Sequence, residues 1–235
     1  MFMYGMYYYY DPTYFLVIIA ALISMIASMR VNSTFQKYSK VRCASGMTGA
    51  DVARKILRLS GITDVEVEHV SGRLSDHYDP RRKVLRLSDS VFNSQSVAAL
   101  GVAAHECGHA IQHQKKYAPL GLRSLLVPAA SLGSNLGIPL VIAGLIFGAL
   151  DFLVPIGIWI FIFAVLFQVV TLPVEFNASR RAIRVLGDYG LMQREEIGIV
   201  KKVLGAAAMT YVAAAAASVL QLLRLVILAG GRRDN

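Results

Sequence analysis

Apolar residues along the chain are concentrated in four stretches that approach the length a helix needs to cross a bilayer, about 20 residues. These stretches are residues 14–29, 125–150, 152–172 and 206–230. The first is short, but four tyrosines at residues 7–10 can extend it as an aromatic belt at the membrane interface. The second and third are separated only at Asp151, which predicts a membrane hairpin with a very short turn. The fourth, interrupted by Gln221 and Arg224, leaves two arrangements open: it crosses the bilayer, or it packs against the other helices near the cytosolic face.

Between the first two apolar stretches the pattern changes to mixed α and β. Thr48 followed by Asp51 has the form of a capping box and predicts a helix that runs through Leu59. Alternating apolar and polar residues predict two short strands, at 64–70 and 83–87. We therefore predict a mainly α multi-pass membrane protein with a small α+β portion outside the bilayer.

Composition and charge support this class and orient it. Only 17% of the 235 residues are charged, against roughly a quarter in soluble domains. The net charge of +9 could indicate nucleic acid, but the 24 Lys and Arg residues follow the apolar pattern: none precedes Arg30, and none lies between Arg123 and Arg180. By the positive-inside rule, residues 30–123 and 180–202 are cytosolic, and the turn at Asp151 and the N-terminus are outside. Nucleic acid is not needed as a partner, and two cysteines exclude a disulfide framework.

The lack of Lys and Arg before the first stretch also favours a membrane anchor over a cleaved signal. The predicted organisation has an outer tail with a first span, a cytosolic α+β segment, a membrane hairpin, a cytosolic helical segment, a membrane helix and a basic tail. These parts are residues 1–29, 30–123, 124–172, 173–205, 206–230 and 231–235.

A third predicted helix, capped by Ser94 or Ser96 and running to about Gln114, carries the candidate chemistry. It contains His105, Glu106 and His109 in the pattern H-E-x-x-H. Residues four apart share one helix face, so both imidazoles can bind one Zn²⁺ ion while Glu106 stands beside the open coordination position as a general base. Cys107, between them, points off the histidine face and is expected to be structural.

A catalytic zinc site needs a third protein ligand. His113 lies about 12 Å along the helix axis from His105, too far for one ion, and neither His69 nor His77 has a spacing that selects it. Glu175 directly follows the third apolar stretch, where a carboxylate without a partner is costly. The hairpin leaves the cytosolic face after His109 and returns to it before Glu175, so Glu175 is the preferred third ligand.

These residues carry a resemblance that covers nearly the whole chain. His105-Glu106-x-x-His109, a two-span hairpin and the run E-F-N-A-S-R-R-A at residues 175–182 resemble the YugP-like neutral zinc metallopeptidases of bacterial membranes. The runs D-H-Y-D-P at 76–80 and T-Y-V at 210–212 resemble that family as well. A more distant similarity is to the HtpX-like and CAAX prenyl proteases, in which an aspartate stands at the position of Ser179. The resemblance therefore does not predict, for this chain, the contact that the aspartate makes to a metal ligand.

The resemblance implies a zincin-like fold and a gluzincin-type peptidase with one Zn²⁺ per chain, held by His105, His109 and Glu175, with Glu106 activating water. The expected function is a membrane-embedded zinc endopeptidase that acts at the cytosolic face of the cell membrane on membrane or misfolded proteins. The expected partners are a protein or peptide substrate and the lipid bilayer; the oligomeric state is not predicted. Residues that could stabilise the transition state are His77, Tyr78 and Arg180.

Two further expectations complete the hypothesis. The strand at 83–87 could bind an extended peptide by pairing along its edge. Two alternative functions stay open: a noncatalytic membrane adaptor that keeps zinc for structure, and a zinc hydrolase acting on a non-peptide amide or lipid.

Overall fold

A computed structural model describes residues 12–231 of the protein, and most of them are helical. The helices are α1 (Tyr14–Tyr38), α2 (Gly49–Leu59), α3 (Val97–Gln114), α4 (Ala118–Ile146), α5 (Leu153–Asp188) and α6 (Arg194–Gly230). The strands are β1 (Glu66–Val70), β2 (His77–Asp79) and β3 (Val84–Ser88). Four of the helices, α1, α4, α5 and α6, are long and apolar enough to cross a membrane. The mostly helical architecture with four candidate spans and a small sheet agrees with the prediction.

The long helices extend beyond the apolar stretches. α1 continues past residue 29 to Tyr38, α5 continues past residue 172 to Asp188, and α6 begins at Arg194 instead of near residue 206. The added segments are rich in Lys, Arg, Gln and Glu, which end the apolar pattern but are good helix formers. Hydropathy therefore located the candidate spans, but not the ends of the helices. The tyrosines at residues 7–10 and the tail at 232–235 lie outside the described residues.

The hairpin of α4 and α5 is tightly packed, with a short 3₁₀ turn at Gly148–Leu150 between the helices. A Cβ atom on Gly133 would lie 2.6 Å from the carbonyl oxygen of Ile160, and one on Gly137 would lie 2.8 Å from Cβ of Phe161. Both distances are shorter than a van der Waals contact, so glycine at these positions permits the close approach of the two helices.

The small sheet has the order β1-β3-β2, with β3 parallel to β1 and antiparallel to β2. Two expectations are corrected here. The residues between the two predicted strands contain a third strand, β2, whose sequence His-Tyr-Asp has no alternating apolar pattern. The strand predicted at 83–87 is the central strand, with both edges paired, and it therefore has no free edge for a peptide.

The polar segments on either side of the hairpin share one hydrophobic core. Buried side chains of α2, α3 and β3 pack there against the ends of α5 and α6, including Leu186 and Val200. The predicted capping box of Thr48 and Asp51 is present, and the N-cap of α3 is Ser96, whose hydroxyl accepts from the backbone of Ala99. This shared core fixes α3 against α5.

Candidate metal centre

His105 and His109 lie one turn apart on α3, as the motif predicts. Their ring centroids are 4.8 Å apart, and their side chains are only 13% and 12% exposed. Burial lowers the pKa of His109, but its contact with the Glu175 carboxylate and the charge of Glu106 raise it more, so the pKa lies above the usual value for histidine. A metal ion must therefore compete with a proton for this imidazole.

Glu175, on α5, completes the cluster from the other side of the hairpin. Its Oε2 atom lies 3.3 Å from Nε2 of His105 and 3.5 Å from Nε2 of His109, and its side chain is 3% exposed. The charge pattern predicted that both halves meet at one membrane face, and these distances show that the two halves meet.

The three side chains fit a zinc ion. Their donor atoms all lie within 4.8 Å of one another. Two donors bound at about 2.0–2.2 Å to a tetrahedral zinc ion are about 3.3–3.5 Å apart, which matches the two distances to Glu175. Two imidazoles and one carboxylate also form a donor set typical of catalytic zinc, with a fourth position left open.

Ser179 supports His105. Its hydroxyl lies 3.1 Å from Nδ1 of His105, one helical turn after Glu175 on α5. With Nδ1–H donating to this hydroxyl, Nε2 is free of a proton and available to a metal. Ser179 thus makes a contact to a candidate metal ligand, although the more distantly similar proteases have aspartate at this position.

A buried amide supports His109 in the same way. The nitrogen of Gln112 donates to the carbonyl of Val174 at 2.7 Å and to Oδ1 of Asn177 at 3.0 Å. These two bonds direct its Oε1 atom toward Nδ1 of His109, at 3.0 Å. An amide oxygen only accepts, so Nδ1 carries a proton of its own, and Nε2, which faces Glu175, is the nitrogen at which a metal ion would replace a proton.

The run E-F-N-A-S-R-R-A on α5 therefore has a function at several positions. Glu175 meets the histidines, Asn177 orients Gln112, and Ser179 contacts His105. At Ala178 the backbone passes so close to α3 that a Cβ atom on Gly108 would lie 2.5 Å from its carbonyl oxygen. The two halves of the site are held together by this close crossing of helices.

Two further residues at Glu175 were not identified as site residues from the sequence: one contacts its carboxylate, and the other lines the same cavity. Nη1 of Arg123 lies 3.4 Å from Oε1 of Glu175, which leaves Oε2 for the histidines. Tyr211, on α6, lines the same cavity as Glu175. In the sequence, Arg123 stood out only as the last cation before the hairpin, and Tyr211 only as part of the T-Y-V run. Their positions near Glu175 depend on how helices that are distant in sequence cross.

A cavity of about 220 Å³ opens on this cluster. Its polar wall includes His105, Glu106, Glu175 and Tyr211. The opposite wall is formed by apolar side chains of α1 and α6: Val31, Phe35, Val203, Leu204, Ala207 and Ala208. Glu106 is 8% exposed and borders the same space as the three candidate ligands.

The other histidines make contacts outside this cluster. His69 contacts Asp89 at 2.6 Å, and His77 contacts the carbonyl of Ser75 at 2.8 Å. His113 contacts the hydroxyl of Tyr78 at 2.9 Å, and burial raises the pKa of Tyr78 to about 12.

Arg180 and Cys107 also have contacts of their own. The Arg180 guanidinium bonds the carbonyl of Phe176 in its own helix, 3.4 Å away. His77, Tyr78 and Arg180 are thus not among the described residues that line the cavity. The Cys107 thiol packs against the carbonyl of Ala53, and burial raises its pKa, in agreement with a structural role.

Comparison with known proteins places these features in a family. A family model described as "putative neutral zinc metallopeptidase" matches residues 13–230. The chain is 48% identical over 222 residues to "Putative membrane protease YugP" of Bacillus subtilis (strain 168), an alignment covering 94% of this chain and 98% of that protein. No solved structure matches the chain.

Proposed function

The chain belongs to this family of neutral zinc metallopeptidases, and from that premise we propose that it is a membrane-embedded zinc endopeptidase. In this proposal it cleaves peptide bonds of membrane or misfolded proteins at the cytosolic face. One observation carries the proposal: the donor atoms of His105, His109 and Glu175 lie within 4.8 Å of one another, beside Glu106 on a cavity.

His105, His109 and Glu175 would hold one Zn²⁺ ion per chain, with Ser179 and Gln112 fixing the two imidazoles. A zinc ion bound there would supply a Lewis acid that polarises the scissile carbonyl and lowers the pKa of the attacking water. Arg123 holds the second oxygen of Glu175, so that one oxygen faces the histidines.

Glu106 is the proposed general base. Its carboxylate borders the cavity, next in sequence to His105. It accepts a proton from the attacking water and then delivers that proton to the leaving amine nitrogen as the peptide bond breaks. This role needs a substrate carbonyl in the cavity. It also needs the Glu106 carboxylate to be separate from the three proposed metal ligands.

Tyr211 is the donor that we propose for the negative charge that develops on the carbonyl oxygen. It lines the cavity together with Glu106 and Glu175, and a phenol hydroxyl can donate to such an oxyanion. His77, Tyr78 and Arg180 fit this role less well, because each contacts residues outside the cavity.

The cavity also favours a class of substrate. Its apolar wall, formed by α1 and α6, suits an apolar side chain next to the cleaved bond. Leu74 and Asp76 also line the cavity, and the Asp76 carboxylate accepts from the backbone and hydroxyl of Ser88. β2 begins directly after Asp76, and its outer edge is the one along which an extended peptide could pair.

The cytosolic orientation is supported by charge. The described segments that surround the metal residues carry most of the Lys and Arg, and the turn at Asp151 carries none. Exposed segments of membrane or misfolded proteins on that side would reach the cavity.

The proposal is tested by metal removal and by one matched pair of histidine variants. The protein, purified in detergent, should cleave an unfolded membrane protein, lose that activity with a chelator and regain it with close to one zinc per chain. His109→Ala should lose both zinc and cleavage, whereas His113→Ala, which changes an exposed histidine on the same helix, should keep both. Zinc binding without cleavage of any protein substrate would instead favour the adaptor.

A further inference from the structure

A second concave surface lies between α1 and α6. It shares no lining residue with the metal-site cavity. This α1–α6 groove has a volume of about 540 Å³. Its residues are Arg30, Ser33, Thr34, Lys37 and Tyr38 of α1, and Lys201, Lys202, Gly205, Ala206 and Met209 of α6.

The groove has a strongly positive charge. It carries four cations, Arg30, Lys37, Lys201 and Lys202, and no carboxylate among its described lining residues. Within residues 12–231, the ion pairs of the protein involve other cations. All four side chains are exposed to solvent, so their mutual repulsion costs little free energy when no ligand is bound. Together they produce a positive potential that attracts an anion.

The groove borders the apolar parts of both helices. Arg30 directly follows the apolar part of α1, and Lys201 and Lys202 come shortly before the apolar part of α6. Ala206 and Met209 continue the groove along this apolar part of α6. Four cations and the hydroxyl of Thr34 therefore stand beside the apolar parts of the two helices, as the headgroup of a lipid stands beside its acyl chains.

We propose that the α1–α6 groove binds the phosphate group of an anionic phospholipid. The four cations and the Thr34 hydroxyl contact the phosphate, and the first part of an acyl chain lies along Ala206 and Met209. The Ser33 hydroxyl instead donates to the carbonyl of Arg30 in its own helix. A soluble phosphate offers the same charge but makes no contact with Ala206 and Met209, so the lipid is the occupant that uses the whole groove.

A lipid bound there would also affect the metal site. α1 and α6 form the apolar wall of the metal-site cavity, through Phe35 and Leu204 among others. An anion that bridges cations of both helices holds them together, and it stabilises the folded protein because it binds only the folded state.

The test compares lipid retention by two double variants of the full chain. Native mass spectrometry measures the phosphatidylglycerol and phosphatidylcholine that stay bound after extraction from vesicles containing both. Lys201→Gln with Lys202→Gln should lower phosphatidylglycerol retention by at least about tenfold, since each lysine at an anionic membrane surface contributes roughly fivefold. Lys115→Gln with Lys116→Gln removes the same charge from another exposed lysine pair, directly after α3, and should leave retention unchanged.

Two further measurements keep the result interpretable. Phosphatidylglycerol should raise the thermal unfolding temperature of the wild type and of the Lys115/Lys116 variant, but not of the Lys201/Lys202 variant. Inorganic phosphate in excess should not displace the bound lipid. The proposal is overturned if both double variants lose lipid equally, if neither loses it, or if inorganic phosphate displaces it.

Discussion

The hydroxyl of Ser179 lies 3.1 Å from Nδ1 of His105, and this contact joins α5 to the helix that carries the H-E-x-x-H motif. It leaves Nε2 of His105 facing Oε2 of Glu175, which lies one turn before Ser179 on α5. A single turn of α5 thus provides both the third candidate ligand and the support of the first one.

Removing the Ser179 hydroxyl should weaken zinc binding. Partners that orient ligating histidines contribute about 10- to 100-fold to metal affinity, so Ser179→Ala should lower zinc affinity by about that factor. Ser179→Asp, which restores an acceptor, should bind zinc more tightly than the alanine variant. Competition with a fluorescent chelator measures both. As control, Ser218→Ala removes a hydroxyl that bonds the backbone of its own helix and should not change the affinity.

Arg123 should contribute most to the stability of the folded protein when the metal is absent. Its guanidinium is the partner of the Oε1 atom of the buried Glu175 carboxylate, so Arg123→Gln should destabilise the metal-free protein by about 2 kcal/mol. Zinc supplies another positive partner for Glu175, and the difference in stability should shrink when it is added. Thermal unfolding with and without a chelator measures this. An equal loss under both conditions would contradict the assigned contact, and Arg184→Gln is the matched change at an exposed arginine of α5.

The crossing of α3 and α5 should not tolerate a methyl group at Gly108. A Cβ atom there would lie 2.5 Å from the Ala178 carbonyl oxygen, so Gly108→Ala should force the helices apart and cost about 1–3 kcal/mol. The same change at Gly198, where no atom lies within 4 Å of the added Cβ, should be neutral or stabilising because alanine is the better helix former. Chemical denaturation compares the two, and similar effects at both glycines would contradict the packing argument.

Tyr211→Phe should lower kcat by about 10²–10³ if its hydroxyl stabilises the oxyanion, with zinc content unchanged. The phenyl ring keeps the packing in α6, so the loss reports on the hydroxyl alone. Tyr117→Phe, at a ring that contacts Arg181 outside the cavity, is the control and should keep the wild-type rate. Unchanged kcat in the Tyr211 variant would contradict this role and leave His77, Tyr78 and Arg180 as the candidate donors.

Local sequence patterns predicted much of this arrangement. The spacing of His105 and His109, the capping box of α2 and the apolar stretches each depend on short-range rules. The two-span hairpin, together with the cost of a carboxylate beside an apolar stretch, selected Glu175 as the third ligand. Contacts made by crossing helices left no such signal: Arg123 is distant in sequence from Glu175, and Gln112 is distant from Val174 and Asn177, which orient it toward His109. β2 was missed because three polar or aromatic residues form it through pairing with β3, without a pattern of their own.

Glu106 is the proposed base of a zinc peptidase, and the Glu106→Gln variant separates this role from zinc binding. Cleavage of an unfolded membrane protein is measured together with the zinc content of the same sample, with Glu66→Gln, at an exposed glutamate of β1, as the control. We expect close to one zinc per chain in all three proteins, full activity in the control, and a rate at least about 100-fold lower in Glu106→Gln. Cleavage at the wild-type rate by zinc-loaded Glu106→Gln would contradict this role.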